Sequence, residues 1–166
     1  MKVENIHTRT IPKLMEEAGV LLDSLSSSND RLWPDAWPPM VFDKPLQVGA
    51  AGGHGPIRYF VKAYEPGRNI HFQFTGPSGF NGYHRFELRE ISGGETQLKH
   101  ILIMNTSGMA QFTWPLFFRH LHDALVEEAF DKAERELGLV PEGHQRSGWV
   151  RFLRKLFEMK ERKKRR

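Results

Sequence analysis

Apolar and polar positions alternate with period two through the middle of the chain. In residues 71–90, HFQFTGPSGFNGYHRFELRE, Phe72 and Phe74 alternate with His71, Gln73 and Thr75. Further on, His84, Phe86 and Leu88 alternate with Tyr83, Arg85, Glu87 and Arg89. Such alternation predicts half-buried strands. The inner face of the second strand carries a histidine, which raises the question of whether that face lines a core or a hollow.

Other elements follow from the same reading. Residues 2–9 predict a first strand. TIPKLMEEAGVLLDSLSSS predicts a helix starting near Thr10 and Pro12, with Leu14, Ala18, Leu21, Leu22 and Leu25 at helical spacing. NDRLWPDAWPPMVFDKP predicts an extended loop with at most a short strand. PLQVGA and PIRYFVKAYE predict strands flanking a turn at AGGHG, and Pro66-Gly67 suits a tight turn. That turn sets Glu65 opposite Arg68, Val61 opposite Phe72 and Tyr59 opposite Phe74. Ile57, Tyr59, Val61 and Ala63 then share a face with Ile70, Phe72 and Phe74, while Phe60 and Tyr64 lie on the outer face.

The next hairpin, GYHRFELREIS into TQLKHILIMNT, allows two registers. Leu88 opposite Lys99 puts a lysine on the inner face. Leu88 opposite His100, Phe86 opposite Leu102 and His84 opposite Met104 puts a histidine there, which costs less. The second register needs a three-residue loop or a bulge at GGE. A long helix is predicted over 110–137, ending at Gly138, with a stripe of Trp114, Phe118, Leu121, His122, Leu125, Ala129, Ala133 and Leu137. Its charges, Asp123, Glu127, Asp131, Glu134 and Arg135, lie off that stripe.

This order of elements, with GFNGYHRFEL, GGETQLKHILIM and FFRHLHDALVEEAFDKAERELG, resembles the START-like (SRPBCC) superfamily over residues 2–138, and in particular its polyketide cyclase/dehydrase-like branch. The resemblance implies an α+β helix-grip fold, a curved antiparallel sheet wrapped around a long C-terminal helix. It also implies an apolar cavity between the two. Members bind lipids, sterols or plant hormones, or cyclise and dehydrate polyketides. The family has no universal catalytic motif, so no catalytic residue carries over. The chain divides into a domain at 1–138, a linker at 139–148 and a helical tail at 149–166.

The cavity lining expected from these parities is Tyr59, Phe72, Phe74, His84, Phe86, His100, Trp114, Phe118 and His122. His84, His100 and His122 are either satisfied core histidines or ligand contacts. The leading expectation is binding of a small apolar or aromatic molecule, lipid- or polyketide-like. The alternative is a cyclase/dehydratase-type enzyme, with His84 or His100 as general acid/base and Tyr59 as a hydrogen-bond donor. Trp33, Trp37 and Trp114 either pack the long loop onto the sheet or form a lid or mouth over the cavity. No cofactor and no metal are expected. His120 and His122 lie roughly 200° apart around a helix and cannot share an ion, and no other histidine pair has ligand spacing. AGGHG lacks a following Lys-Ser/Thr, and no Gly-x-Ser-x-Gly elbow exists.

Charge changes the picture at one end only. Residues 145–166 hold ten Lys or Arg and two Glu, a net of +8, whereas the other 144 residues hold 14 basic and 18 acidic groups, a net of −4. Basic character therefore belongs to the tail, and nucleic acid is disfavoured as a partner. Within the tail, Trp149, Phe152, Leu153, Leu156 and Phe157 form an apolar stripe beside Arg151, Arg154, Lys155 and Lys160. That helix suits docking on its own domain, a homodimer, or an anionic membrane surface, as in a membrane-associated lipid carrier. No cysteine is present, and the first residues hold no apolar leader, so a cytoplasmic location is expected, with peripheral membrane association through the tail.

Overall fold

Neighbouring strands pair in one antiparallel sheet. They are β1 (Lys2–Ile11), β2 (Val41–Phe42), β3 (Ala51–His54), β4 (Ile57–Glu65), β5 (Asn69–Gly76), β6 (Phe80–Ile91) and β7 (Glu95–Thr106), in the order β1-β7-β6-β5-β4-β3-β2. The computed structural model describes residues 1–141 and 143–164, without the side chains of Ser92, Phe157, Glu158 and 160–164.

The first strand runs further than its pattern suggested. Ile11 pairs with Thr96 and is fully buried, so the strand keeps residues 10 and 11 and α1 spans Met15–Asp23. Glu17 closes its first turn by accepting the Leu14 N–H at 3.2 Å. Ala18, Leu21 and Leu22 fix α1 to the core.

The first four residues of AGGHG form a strand, and the turn falls at Gly55-Pro56. A Cβ on Gly52 would lie 1.9 Å from the Val41 carbonyl oxygen, and one on Gly53 would lie 1.9 Å from that of Ile57. The glycines admit the backbones of β2 and β4 on either side. PLQVGA is not a strand, but Gly49 donates to Val61 and Val61 to Ala50, both at 2.8 Å.

Val61 faces Phe72 and Tyr59 faces Phe74, as the hairpin reading has it. A bulge between Val61 and Ala63 then moves Glu65 opposite Asn69 instead of Arg68. Ala63 is thereby exposed, and Tyr64, expected on the outer face, pairs with Ile70 and donates to Asp23 of α1 at 2.8 Å.

In the β6–β7 hairpin the favoured parity holds, with pairs two residues tighter: Leu88 opposite Leu98, Phe86 opposite His100, His84 opposite Leu102. The turn is Ser92–Gly94, with Gly93 and Gly94 at φ 80° and 78°. Lys99 faces outward opposite Glu87.

The long helix is interrupted. α2 (Ala110–Thr113) leads into a π-helical turn (Trp114–Phe118) and then α3 (Arg119–Glu136). One extra residue per turn shifts the phase of everything after it. Val126 and Phe130, absent from the expected stripe, are consequently fully buried, whereas Leu121 and Leu137 are half-buried. α4 (Gly148–Lys164) packs beside α3 through Val150 and Leu153. Trp149, Phe152 and Leu156 of its stripe remain exposed, and the Phe157 side chain lies outside the described residues. Among the described residues, no helix is long and apolar enough to cross a membrane.

Candidate functional site

Alternation along four strands turns Tyr59, Phe72, Phe74, His84, Phe86 and His100 to the side of the sheet where the helix lies, and all six are buried. The π-turn adds Trp114 and Phe118, and α3 adds His122; Trp114 is buried, the other two half-buried. These nine side chains occupy one interior and touch through their rings. His84 lies 4.7 Å from Phe72, 5.1 Å from Phe74 and 4.8 Å from Tyr59, centroid to centroid. His100 lies 4.7 Å from Phe86 and 5.0 Å from His122, which in turn lies 5.8 Å from Trp114. Phe118 joins through Phe80, at 5.3 Å.

The histidines are the polar content of this interior. His84 Nδ1 and His100 Nε2 are 3.3 Å apart. Among the described residues, His84 Nε2, His100 Nδ1 and both ring nitrogens of His122 are buried with no hydrogen-bond partner. Burial holds His84 and His100 well below the ordinary histidine range, with neighbouring histidines adding to the effect, so both rings are neutral. Burial lowers His122 too, against an opposing pull from Asp123. Tyr59, raised by burial, keeps its proton, and its hydroxyl lies in hydrogen-bond contact with His54 Nδ1 at 2.9 Å.

Two neutral imidazoles joined this way always present one donor and one acceptor at their outer ends. If His84 Nδ1–H donates, His84 Nε2 accepts and His100 Nδ1–H donates; the reverse bond exchanges the two roles. A paired tautomer shift therefore moves a proton from one end to the other without creating charge.

No family model matches the chain, and no curated protein matches it. Solved structures do. A Thermobifida fusca protein is 13% identical over 85% of this chain and 99% of its own, with a TM-score of 0.63. The di-domain ARO/CYC StfQ of the steffimycin biosynthetic pathway is 12% identical, with a TM-score of 0.64 over 84% of this chain and 53% of its own. A Thalictrum norcoclaurine synthase is 10% identical over 79% and 96%, with a TM-score of 0.56.

The chain shares the helix-grip fold of these structures.

Within this helix-grip frame the tryptophan loop is packed down. Trp33 and Trp37 are buried; the Trp33 ring lies 4.7 Å from His54, and Trp37 Nε1–H donates to Glu128 at 3.0 Å. Lys132 of α3 fastens the loop, donating to the Asp30 and Trp33 carbonyls at 2.8 Å each and to the Asp35 carboxylate at 2.7 Å. The tail helix reaches the same loop: Arg154 donates to the Ala36 carbonyl and lies 4.6 Å over the Trp37 ring. The segment before it also folds back, His144 N–H donating to Asp131 and Arg146 bonding Glu128.

Sequence reasoning missed the first strand's contribution. Asn5, His7 and Arg9 lie on its inner face and meet the helix charges. His7 Nδ1 is 2.6 Å from Glu127 and its Nε2 is 3.2 Å from Asp123, while Asn5 donates to Asp123 at 2.8 Å. Arg9 pairs with Glu127 at 2.9 Å, Asp131 at 3.2 Å, and Glu134. These helix carboxylates thus face β1, not solvent as their place off the stripe implied. The available signal was spacing: carboxylates at 123, 127 and 131 recur once per helical turn, and residues 5, 7 and 9 recur along one strand face at about 6–7 Å. Burial opposes charge on His7, but Asp123 and Glu127 raise its pKa. Burial also opposes the Asp123 charge, yet His122, His7 and Asn5 hold that carboxyl far below the usual range. A cleft of about 270 Å³ opens beside this network, lined by His7, His120, Asp123, Glu127, Glu128 and His144 among others.

Proposed function

We propose that the interior between sheet and helix binds a small apolar or aromatic molecule, lipid- or polyketide-like, that carries a polar group. The supporting observation is the set of unpartnered nitrogens on His84, His100 and His122 inside an aromatic shell. Each buried polar atom left unsatisfied costs on the order of 1–3 kcal/mol, so a guest that bonds them gains where an apolar filler cannot. Phenylalanine and tyrosine rings supply the apolar contact, and the neutral histidine pair supplies one donor and one acceptor for a carbonyl or hydroxyl. In this reading the loop bearing Trp33 and Trp37 is the door, and a guest enters as the loop lifts. Native mass spectrometry of protein purified from its own host tests the proposal. A co-purified apolar molecule supports it; protein that arrives empty and binds no apolar probe defeats it.

The His84–His100 hydrogen bond favours a second reading, cyclase/dehydratase-type acid–base chemistry on a carbonyl compound. A pair that passes a proton without net charge suits enolisation or dehydration in a dry site. Two of the similar structures, an ARO/CYC of a biosynthetic pathway and a synthase, carry the names of biosynthetic proteins, which agrees with this reading. His100→Gln separates the readings: turnover lost with binding retained marks an enzyme, and binding without turnover in either form marks a carrier.

The tail is consistent with peripheral membrane attachment. Trp149, Phe152, Leu156 and Met159 stay exposed on α4, Trp149 bonds the carbonyl of exposed Leu116 at 3.1 Å, and the tail's net charge of +8 complements anionic lipid.

A further inference from the structure

Where β1 crosses α3, three side chains of metal-binding type converge. His7, His122 and Asp123 each offer an atom within 4.8 Å of the others. The geometry points to a site for a divalent cation of the zinc type, held by His7, His122 and Asp123.

Distances come first. His7 Nε2 and Asp123 Oδ1 are 3.2 Å apart, and His122 Nδ1 and Asp123 Oδ1 are 3.7 Å apart. Tetrahedral zinc with bonds of about 2.0–2.2 Å places its ligand atoms roughly 3.4 Å from one another. Side-chain shifts of a few tenths of an ångström bring both separations to that value.

A carboxylate stands behind His7 where ligation through Nε2 would need one. His7 Nδ1 lies 2.6 Å from Glu127 Oε1, the carboxylate contact that typically orients a metal-bound histidine from behind. With the Nδ1 proton donated there, His7 Nε2 turns a lone pair toward the Asp123 carboxylate oxygen. That contact is repulsive unless a proton or a cation lies between them.

His122 supplies an independent observation. Both its ring nitrogens are buried, and neither has a hydrogen-bond partner among the described residues. The Asp123 oxygen at 3.7 Å is too far for a hydrogen bond but right for a shared ion. Net charge agrees. Glu127, Asp131 and Glu134 share the permanent cation Arg9, while Arg119 reaches Asp123 only at 3.8 Å and His144 reaches Glu127 only at 3.7 Å. Negative charge is in excess there, which favours a further cation.

Helix spacing hid this set. His120 and His122 cannot share an ion, and the second histidine arrives from a strand 115 residues away in the chain. Three protein ligands leave a fourth position, and the cleft lined by His7 and Asp123 brings solvent to it. Zinc sites that keep a water rather than a fourth side chain are the reactive kind.

The test uses the full chain, stripped with a chelator and titrated with zinc alone by calorimetry. One equivalent should bind, and cobalt substituted for it should show the absorption of a tetrahedral ion. His122→Phe and Asp123→Asn should each weaken binding by at least about 100-fold, and Glu127→Gln by about 10–100-fold. His120→Ala, on the same cleft, should leave affinity unchanged. Circular dichroism confirms that each variant folds. No stoichiometric binding, or equal affinity in the His122→Phe and His120→Ala proteins, would overturn the site and leave His7 as an imidazolium bridging two carboxylates.

Discussion

His84 Nδ1 lies 3.3 Å from His100 Nε2, although neither residue is the other's strand partner: His84 sits opposite Leu102 and His100 opposite Phe86. The contact is diagonal across β6 and β7, a separation that rings can span. It makes two buried histidines one unit.

Breaking that unit should be felt by a guest. His84→Phe removes one ring nitrogen pair and strands His100 Nε2, so affinity for an apolar fluorescent probe bearing a carbonyl should fall about tenfold, the equivalent of one hydrogen bond. His71→Phe, one strand away with its ring 4.5 Å from Tyr83 outside the interior, should change it less than twofold. Equal effects in a fluorescence titration would remove His84 from the site.

Acid should weaken the fold well before carboxylates titrate. His84 and His100 have folded-state pKa values well below 6.5, and burial pushes His54 down to about 3. As pH falls below 6.5 the unfolded chain takes up protons that the folded chain refuses, so stability present above that pH is lost. Each such histidine adds a slope of about 1.4 kcal/mol per pH unit until its folded value is reached. His7, raised instead, acts with the opposite sign, its contribution fading as pH rises through its folded value. Urea midpoints at pH 7 and pH 5 should differ clearly, and His84→Phe should shrink the difference. Identical midpoints would contradict the burial argument.

Lys132→Met should loosen the tryptophan loop. It leaves the Asp30 and Trp33 carbonyls without their donor, costing about 1–3 kcal/mol, chiefly in the loop. Stopped-flow experiments should show faster probe entry and exit, with a larger change in rates than in affinity. Unchanged rates would mean that the loop is not the door.

The tail prediction concerns side chains that touch solvent. Phe152→Ser with Leu156→Ser should abolish co-sedimentation with anionic vesicles while leaving the melting temperature unchanged, because Val150 and Leu153 carry the packing on α3. Wild-type binding should weaken as salt rises. Failure of the wild-type protein to bind vesicles at low salt would end the membrane reading.

Strand parity was legible from residues alone, because a side chain's face depends only on counting by two. Counting puts His84 and Phe86 on one face and Phe72 opposite Val61 without any knowledge of the third dimension, and the cost of burying Lys99 then turns His100 inward. Pair registers at the hairpin ends were not legible. A bulge beside Lys62 and a turn of one serine and two glycines move partners by one or two residues at little local cost. The helix stripe was half legible: it named Trp114 and Leu125 but missed Val126 and Phe130, since a π-turn shifts phase without announcing itself in composition. What tertiary structure alone decided is which polar groups meet. His7 on β1 reaches Asp123 and His122 on α3, and Lys132 reaches the loop at Asp30, because sheet curvature and helix placement bring together segments about 100 residues apart. Periodicity describes neighbours along one element, whereas the charges of this protein find their partners on another.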